Sequence, residues 1–259
     1  MKIRLCVVLA VCLLTGLFIP GKAEAKKKKM ESLQYPLISS QPIRQIVNHT
    51  AFDVMILPGD ENKIDVRGTE ETFKGIAISL SDGILRINYL ADTSQGEMTI
   101  YVTSNDVNSI SLMGSGGLHA ESLDSNLISV GLYGSGSIFV TNLQARKARI
   151  NLRGSGDVSI GKADVTSAEV TLLGSGSIKM RGVEASSLDC VLKGSGDINI
   201  QNINARIVKG YCFGSGDIML SGKSATCTLL NQGSGGIYAS KLKTNNLTKV
   251  NKGTGEIDD

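Results

Sequence analysis

Along the second half of the chain, apolar residues recur at every second position in short runs, and the runs recur as a set. Each set is marked by Gly-Ser-Gly, starting at Gly114, Gly134, Gly154, Gly174, Gly194, Gly214 and Gly233, with a Gly-Thr-Gly variant at Gly253. Six of the seven intervals are 20 residues and one is 19. With the first glycine as position 1, position 5 reads Leu118, Ile138, Val158, Ile178, Ile198, Ile218 and Ile237. Position 7 reads Ala120, Val140, Ile160, Met180, Ile200, Leu220 and Ala239. Position 10 holds Leu123, Leu143, Ala163, Val183, Ile203 and Leu242, interrupted by Lys223. Position 12 is small, from Ser125 and Ala145 to Ala205 and Ala225. Positions 17 and 19 alternate again, as in Ile150 and Leu152. A period of two marks a strand with one buried face. Each repeat is thus predicted to hold three short strands, with breaks near positions 1–3, 8–9 and 13–14.

Three strands in a fixed period, without drift, predict an all-β, single-stranded parallel β-helix in which each repeat of about 20 residues is one coil. Like positions then stack about 4.8 Å apart, and the inward columns form a continuous core. Seven to eight such coils make a stack roughly 35–40 Å long. A helical solenoid is excluded. It would space its apolar residues at i, i+3 and i+4, and each glycine in a helix costs about 1 kcal/mol. A propeller blade needs a repeat of about 40 residues or more. The paired glycines suit a corner where the backbone needs a positive φ or leaves no room for a Cβ.

The first part of the chain divides differently. Residues 1–25 read as a signal peptide, with Lys2 and Arg4 at the start, an apolar run from Leu5 to Ile19, and Ala23-Glu24-Ala25 as the cleavage site. Cys12 lies inside that run after Val11, which argues against lipidation. Residues 26–40, opened by Lys26 to Lys29, read as a basic, disordered linker. Residues 41–109 form a β-rich N-terminal part with six candidate strands: Ile43 to Val47, Phe52 to Leu57, Ile64 to Val66, Ile76 to Leu80, Leu85 to Tyr89 and Met98 to Val102. Asp82-Gly83 between two of them is a hairpin signal. These strands are expected to merge into the repeat helix, assigned to 110–259, and to cover its open first coil.

Several of these segments carry a family resemblance. Ile43-Arg44-Gln45-Ile46, Phe52-Asp53-Val54-Met55-Ile56, Lys63 to Gly68, Leu85-Arg86-Ile87 and the Gly-Ser-Gly-Asp-Ile run from Gly194 resemble the bacterial DUF2807 family, putative autotransporter adhesins with a head GIN domain. The resemblance spans about residues 40 to 257. It implies a right-handed helix of the pectin-lyase shape, a role in adhesion, and no established enzyme activity.

Composition narrows the chemistry. Removing the charges of the signal segment from 27 basic and 24 acidic residues leaves 24 and 23, a balance that gives no reason to expect nucleic acid. The only histidines are His49 and His119, one in each half, too few and too separate for a nucleophile–base pair or a zinc site. Neither a catalytic group, a metal nor a cofactor is therefore expected. Past the signal, Cys190 and Cys212 fall on inward columns and read as buried thiols, whereas Cys227 falls near a corner at position 14. A Cys212–Cys227 disulfide is the alternative in an exported protein. Acidic residues recur at position 4, as Asp157, Asp197, Asp217 and Glu256. They are either a carboxylate ladder for calcium or acid/base work, or turn residues bonding backbone amides; repulsion between stacked carboxylates and the number of ligands calcium needs favour the second.

Two outward columns flank the glycine corner. Position 20 holds Met113, Tyr133, Arg153, Leu173, Lys193 and Phe213, and position 6 includes His119, Phe139 and Tyr238. Tyr133, Arg153, Lys193, Phe213, Phe139 and Tyr238 are the candidates for a ligand or interface surface. The function that fits is a non-catalytic exported module, in the periplasm, at the cell surface or secreted, binding a protein or a glycan without stable membrane insertion. The alternative is a polysaccharide lyase or hydrolase on the same scaffold. The chain ends at Asp259 partway into a coil, where Glu256, Asp258 and Asp259 disfavour end-to-end stacking. A homo-oligomer joined side by side through the column ending in Phe213 is expected.

Overall fold

A computed structural model describes residues 33–90 and 96–259, and within Leu33–Ser39 only the backbone. The expected signal peptide and Lys26 to Lys29 lie outside the described residues. The N-terminal part comprises β1 (Leu33–Ser39), β2 (Gln45–Asn48), β3 (Asp53–Leu57), β4 (Asn62–Gly68), the one-turn helix α1 (Glu70–Lys74), β5 (Ile76–Ser81), β6 (Ile84–Tyr89) and β7 (Met98–Thr103). All six expected strands are present. The expected linker does not extend over its whole assigned range, because Leu33–Ser39 pair antiparallel with β4. The repeats follow as β8 (Ser109–Leu112), β9 (Gly117–Leu132), β10 (Ser137–Leu152), β11 (Asp157–Leu172), β12 (Ser177–Met180), β13 (Val183–Leu192), β14 (Ile198–Cys212), β15 (Ile218–Asn231), β16 (Ile237–Asn251) and β17 (Ile257–Asp258).

The repeats form a parallel β-helix. Ile138 pairs with Leu118 below and Val158 above, a 20-residue offset kept through β9, β10 and β11. Pairing between β10 and β11 skips Thr141 and Arg146, at positions 8 and 13. The chain bends at those two points, so one long ladder contains the three short strands that the apolar pattern predicts. The expected inward columns are buried almost completely. A further column joins them at position 15, from Ile128 and Ala148 to Leu188 and Val208. Each large aliphatic side chain so removed from water contributes about 1.5–3 kcal/mol relative to an exposed one.

The 19-residue coil reassigns three residues. Ile203 pairs with Gly222, not Lys223, so a single residue, Ser221, faces Gln201 and Asn202. Gly222 has φ 132°, and a Cβ there would stand 2.2 Å from the Ile203 carbonyl oxygen. Glycine alone fits. Lys223 therefore leaves the core column and is exposed. Ser224, not Ala225, takes position 12 beside Ala205. Cys227 pairs with Val208 in the core and is wholly buried, which corrects its expected place near a corner.

The structure decides between the two readings of the corner glycines. None of them has a positive φ. A Cβ on Gly134, Gly154, Gly174, Gly194 or Gly214 would lie 1.8–2.0 Å from the carbonyl oxygen of the glycine one coil below. Glycine is required there because the coils meet backbone to backbone.

The N-terminal part is woven into the same stack. The coil formed by β2 and β3 lies between two others, with β8 and β9 on one side and β6 and β7 on the other. Beyond β6 and β7, β5 and β4 pair antiparallel and close the end of the stack. Asp82 and Gly83 turn β5 into β6 with φ 54° and 76°. Two consecutive positive φ values are what a two-residue primed turn requires.

Candidate functional site

Beside the bend at position 13, the short side chains of position 12 leave a furrow between longer polar ones at positions 11 and 13. Repeated coil after coil, this becomes a groove of about 1070 Å³ along the stack, from Asp124 to Asn245. Its floor is Ser125, Ala145, Val165, Ala185, Ala205 and Ser224. Asp124, Gln144, Asp164, Glu184, Asn204 and Lys223 form one wall. Asn126, Arg146, Thr166, Ser186 and Arg206 form the other. The only hydrogen bond between these wall side chains joins Asn204 Nδ2 to Glu184 Oε2 at 2.7 Å. The groove lies outside the two surface columns expected from the sequence. Its signal was present in the small column at position 12 with polar neighbours on both sides.

The acidic ladder has a structural use. Asp157 Oδ1 accepts from the Ser177 backbone N–H at 3.0 Å and from the Ser177 hydroxyl at 2.5 Å. Asp197 accepts from the Asp217 N–H at 2.9 Å, and Asp217 from the Gly236 N–H at 2.7 Å. Asp53, in the N-terminal coil, accepts from the Gly117 N–H at 2.7 Å. Each carboxylate thus holds a backbone amide of the next coil up. Glu256 stands in the same column without such a bond. Three or more metal-ligating side chains do not gather anywhere among the described residues.

The predicted surface residues separate into two groups. Tyr133, Arg153, Lys193 and Phe213 share one outward column with Met113 and Leu173. The Arg153 guanidinium stands 5.9 Å from the Tyr133 ring centre, and the Lys193 ammonium 5.8 Å from that of Phe213. Tyr211 stacks on Phe213 with ring centres 6.5 Å apart. Phe139 and Tyr238 are half-buried, lie in the other column, and are not brought together. Phe139 neighbours His119 at 6.5 Å. The Asp217 carboxylate beside Tyr238 pushes its phenol above the ordinary range.

Cys190, Cys212 and Cys227 are free and buried. Burial raises all three thiols, Cys227 to about 11. Such thiols are poor nucleophiles, because the thiolate is the reactive form.

The family model described as "Putative auto-transporter adhesin, head GIN domain", DUF2807, matches residues 44–207 and 168–258. No curated protein matches the chain. Among solved structures, the fold is similar to a putative adhesin from Bacteroides fragilis NCTC 9343, at 18% identity over 89% of this chain and 97% of that one, with a TM-score of 0.63. A putative adhesin from Parabacteroides merdae ATCC 43184 gives 14% identity, 88% and 96% coverage, and 0.72. A putative lipid binding protein from Parabacteroides distasonis ATCC 8503 gives 18%, 87% and 96%, and 0.68. At these identities the likeness is one of fold.

Proposed function

For a chain that belongs to the DUF2807 family of putative auto-transporter adhesins, we propose a non-catalytic adhesion module that holds an extended surface polymer along its lateral groove. The groove carries this reading. It is long, continuous and lined by side chains whose polar groups are almost all uncommitted to one another. A polymer lying in it meets the same kind of floor and walls at every coil. Many weak contacts along one chain then add without any deep pocket.

The lyase or hydrolase reading has less support. Asp157, Asp197 and Asp217 are engaged by backbone amides of the neighbouring coil. Those oxygens are occupied in holding one coil to the next. The family name supports adhesion, and the signal segment expected at residues 1–25 supports export. No helix of the described residues is long and apolar enough to cross a membrane.

The test is a binding screen of the purified protein against cell-surface glycans and proteins, repeated with Thr166→Trp. Thr166 is an exposed wall residue, so a bulky ring there obstructs the groove without disturbing the core. Binding lost in Thr166→Trp supports the groove. Binding unchanged by it places the contact surface elsewhere and overturns this reading. Polysaccharide turnover abolished by Asp197→Ala would restore the enzyme class.

A further inference from the structure

We infer that the end of the groove around Ser224 is an oxyanion subsite, and that the polymer held there is an acidic polysaccharide. The inference rests on the adhesion reading of the groove and assigns its ligand class.

Charge along the groove is divided. Asp124, Asp164 and Glu184 occupy one wall of the earlier coils, with Arg146 opposite. From Asn204 onward the lining carries Arg206 and Lys223 and no acid. Lys243 pairs with Lys223 in the next coil and extends the cationic end. Arg206, Lys223 and Lys243 make no ion pair or side-chain hydrogen bond among the described residues. Glu184, the nearest wall carboxylate, is bonded to Asn204.

The floor at this end supplies an independent observation. Ser224 is 8% exposed, and its hydroxyl is buried without a hydrogen-bond partner. Elsewhere along the floor this column is mostly alanine or valine. A buried hydroxyl without a partner is unfavourable. The hydroxyl is buried as it stands, and a ligand on the floor would engage it through rotation about its one side-chain torsion. The shortened coil creates the arrangement: the bulge at Gly222 sets Ser224 in the floor and Lys223 on the wall. A guanidinium, an ammonium and a hydroxyl from adjacent coils line this end without an acceptor among the described residues, the kind of donor set that a carboxylate or sulfate requires.

A glycan fits better than a peptide. A common way to hold an extended peptide is through main-chain bonds at an open sheet edge. At the groove every strand from β10 to β15 is already paired on both sides. Only side chains face the ligand, and they match hydroxyls and acidic groups.

The experiment is titration calorimetry of the full protein with polygalacturonate, dextran sulfate, neutral dextran and polyglutamate. The two acidic glycans distinguish a carboxylate from a sulfate as the anion. Arg206→Gln/Lys223→Gln is expected to weaken acidic-glycan binding about tenfold. The same charge change at Lys162→Gln/Lys179→Gln, outside the groove, is expected to leave it unchanged. Ser224→Ala is expected to weaken binding about threefold while leaving the unfolding midpoint equal or higher, since it removes an unsatisfied hydroxyl. A lower midpoint in Ser224→Ala, equal losses in the two double variants, or polyglutamate binding as tightly as polygalacturonate would overturn the inference. Neutral dextran binding that Thr166→Trp blocks and Arg206→Gln/Lys223→Gln spares would overturn the subsite and leave the groove standing. Acidic-glycan binding that Thr166→Trp does not affect would overturn both.

Discussion

Replacing Gly176 by alanine tests the corner geometry directly. The added Cβ would sit 1.7 Å from the Gly156 carbonyl oxygen, 2.8 Å from its carbonyl carbon and 2.9 Å from that of Ser155. Real Cβ contacts essentially never fall below 3.0 Å, and every atom in the way is backbone. The two coils must therefore part at this corner. Parting strains the bonds that span it, including Ser175 N–H to the Gly154 carbonyl at 3.2 Å and Ser177 N–H to Asp157 Oδ1 at 3.0 Å. Overpacking of this kind costs about 1–3 kcal/mol, and each backbone bond lost adds about 0.5–1.5 kcal/mol. A loss of about 3 kcal/mol or more is expected. Gly182, in the same coil, is the control, because its nearest contact would be the Gly161 carbonyl oxygen at an ordinary 3.8 Å. Gly182→Ala is expected to be neutral or to stabilise by up to about 1 kcal/mol through the unfolded chain. Guanidinium unfolding followed by far-ultraviolet circular dichroism measures both. A Gly176→Ala midpoint close to wild type would refute the close-approach argument. Equal destabilisation in both variants would refute it too, by showing that any lost glycine costs the same.

Other outcomes follow from the same geometry. Native protein at pH 8 is expected to leave Cys190, Cys212 and Cys227 unlabelled by a thiol reagent, and denatured protein to label all three; peptide mass spectrometry reads the difference. Asn231 donates to the Gly235 carbonyl at 2.9 Å and accepts from the Gly233 N–H at 3.0 Å. Asn231→Ala is expected to cost about 1–3 kcal/mol in chemical unfolding, because buried backbone groups lose their partners. Glu169 bonds Lys147 and Arg149, and the Lys147 bond in particular holds its carboxyl below the ordinary value of 4.5. Its stabilisation is complete above that value and lost as pH falls through the lower folded value. Solvent screening keeps it below about 1 kcal/mol, and a Glu169→Gln midpoint that varies with acid pH as wild type does would contradict it. Light scattering coupled to gel filtration is expected to find an oligomer that Phe213→Ser weakens; a monomer mass at micromolar concentration would reject the side-by-side interface.

The repeat, its coil length and most of its core were legible in the sequence, because each column depends only on local alternation repeated at a fixed interval. Ile138, Val158 and Ile178 declare the same face without any knowledge of the rest. The place of the β2 and β3 coil was not legible, since its neighbours β6, β7, β8 and β9 come from distant stretches and no local pattern says which edge pairs with which. Counting along the chain also misplaced Lys223 and Cys227. A missing residue can be absorbed at any point of a coil, and only the packing of Gly222 against Ile203 locates it. The same holds for the corner glycines. Their type was evident, but whether they serve a positive φ or a close approach depends on the coil beneath. The groove, finally, is a property of neither wall alone: small residues at position 12 become a floor only once the bend at position 13 raises polar side chains on both sides.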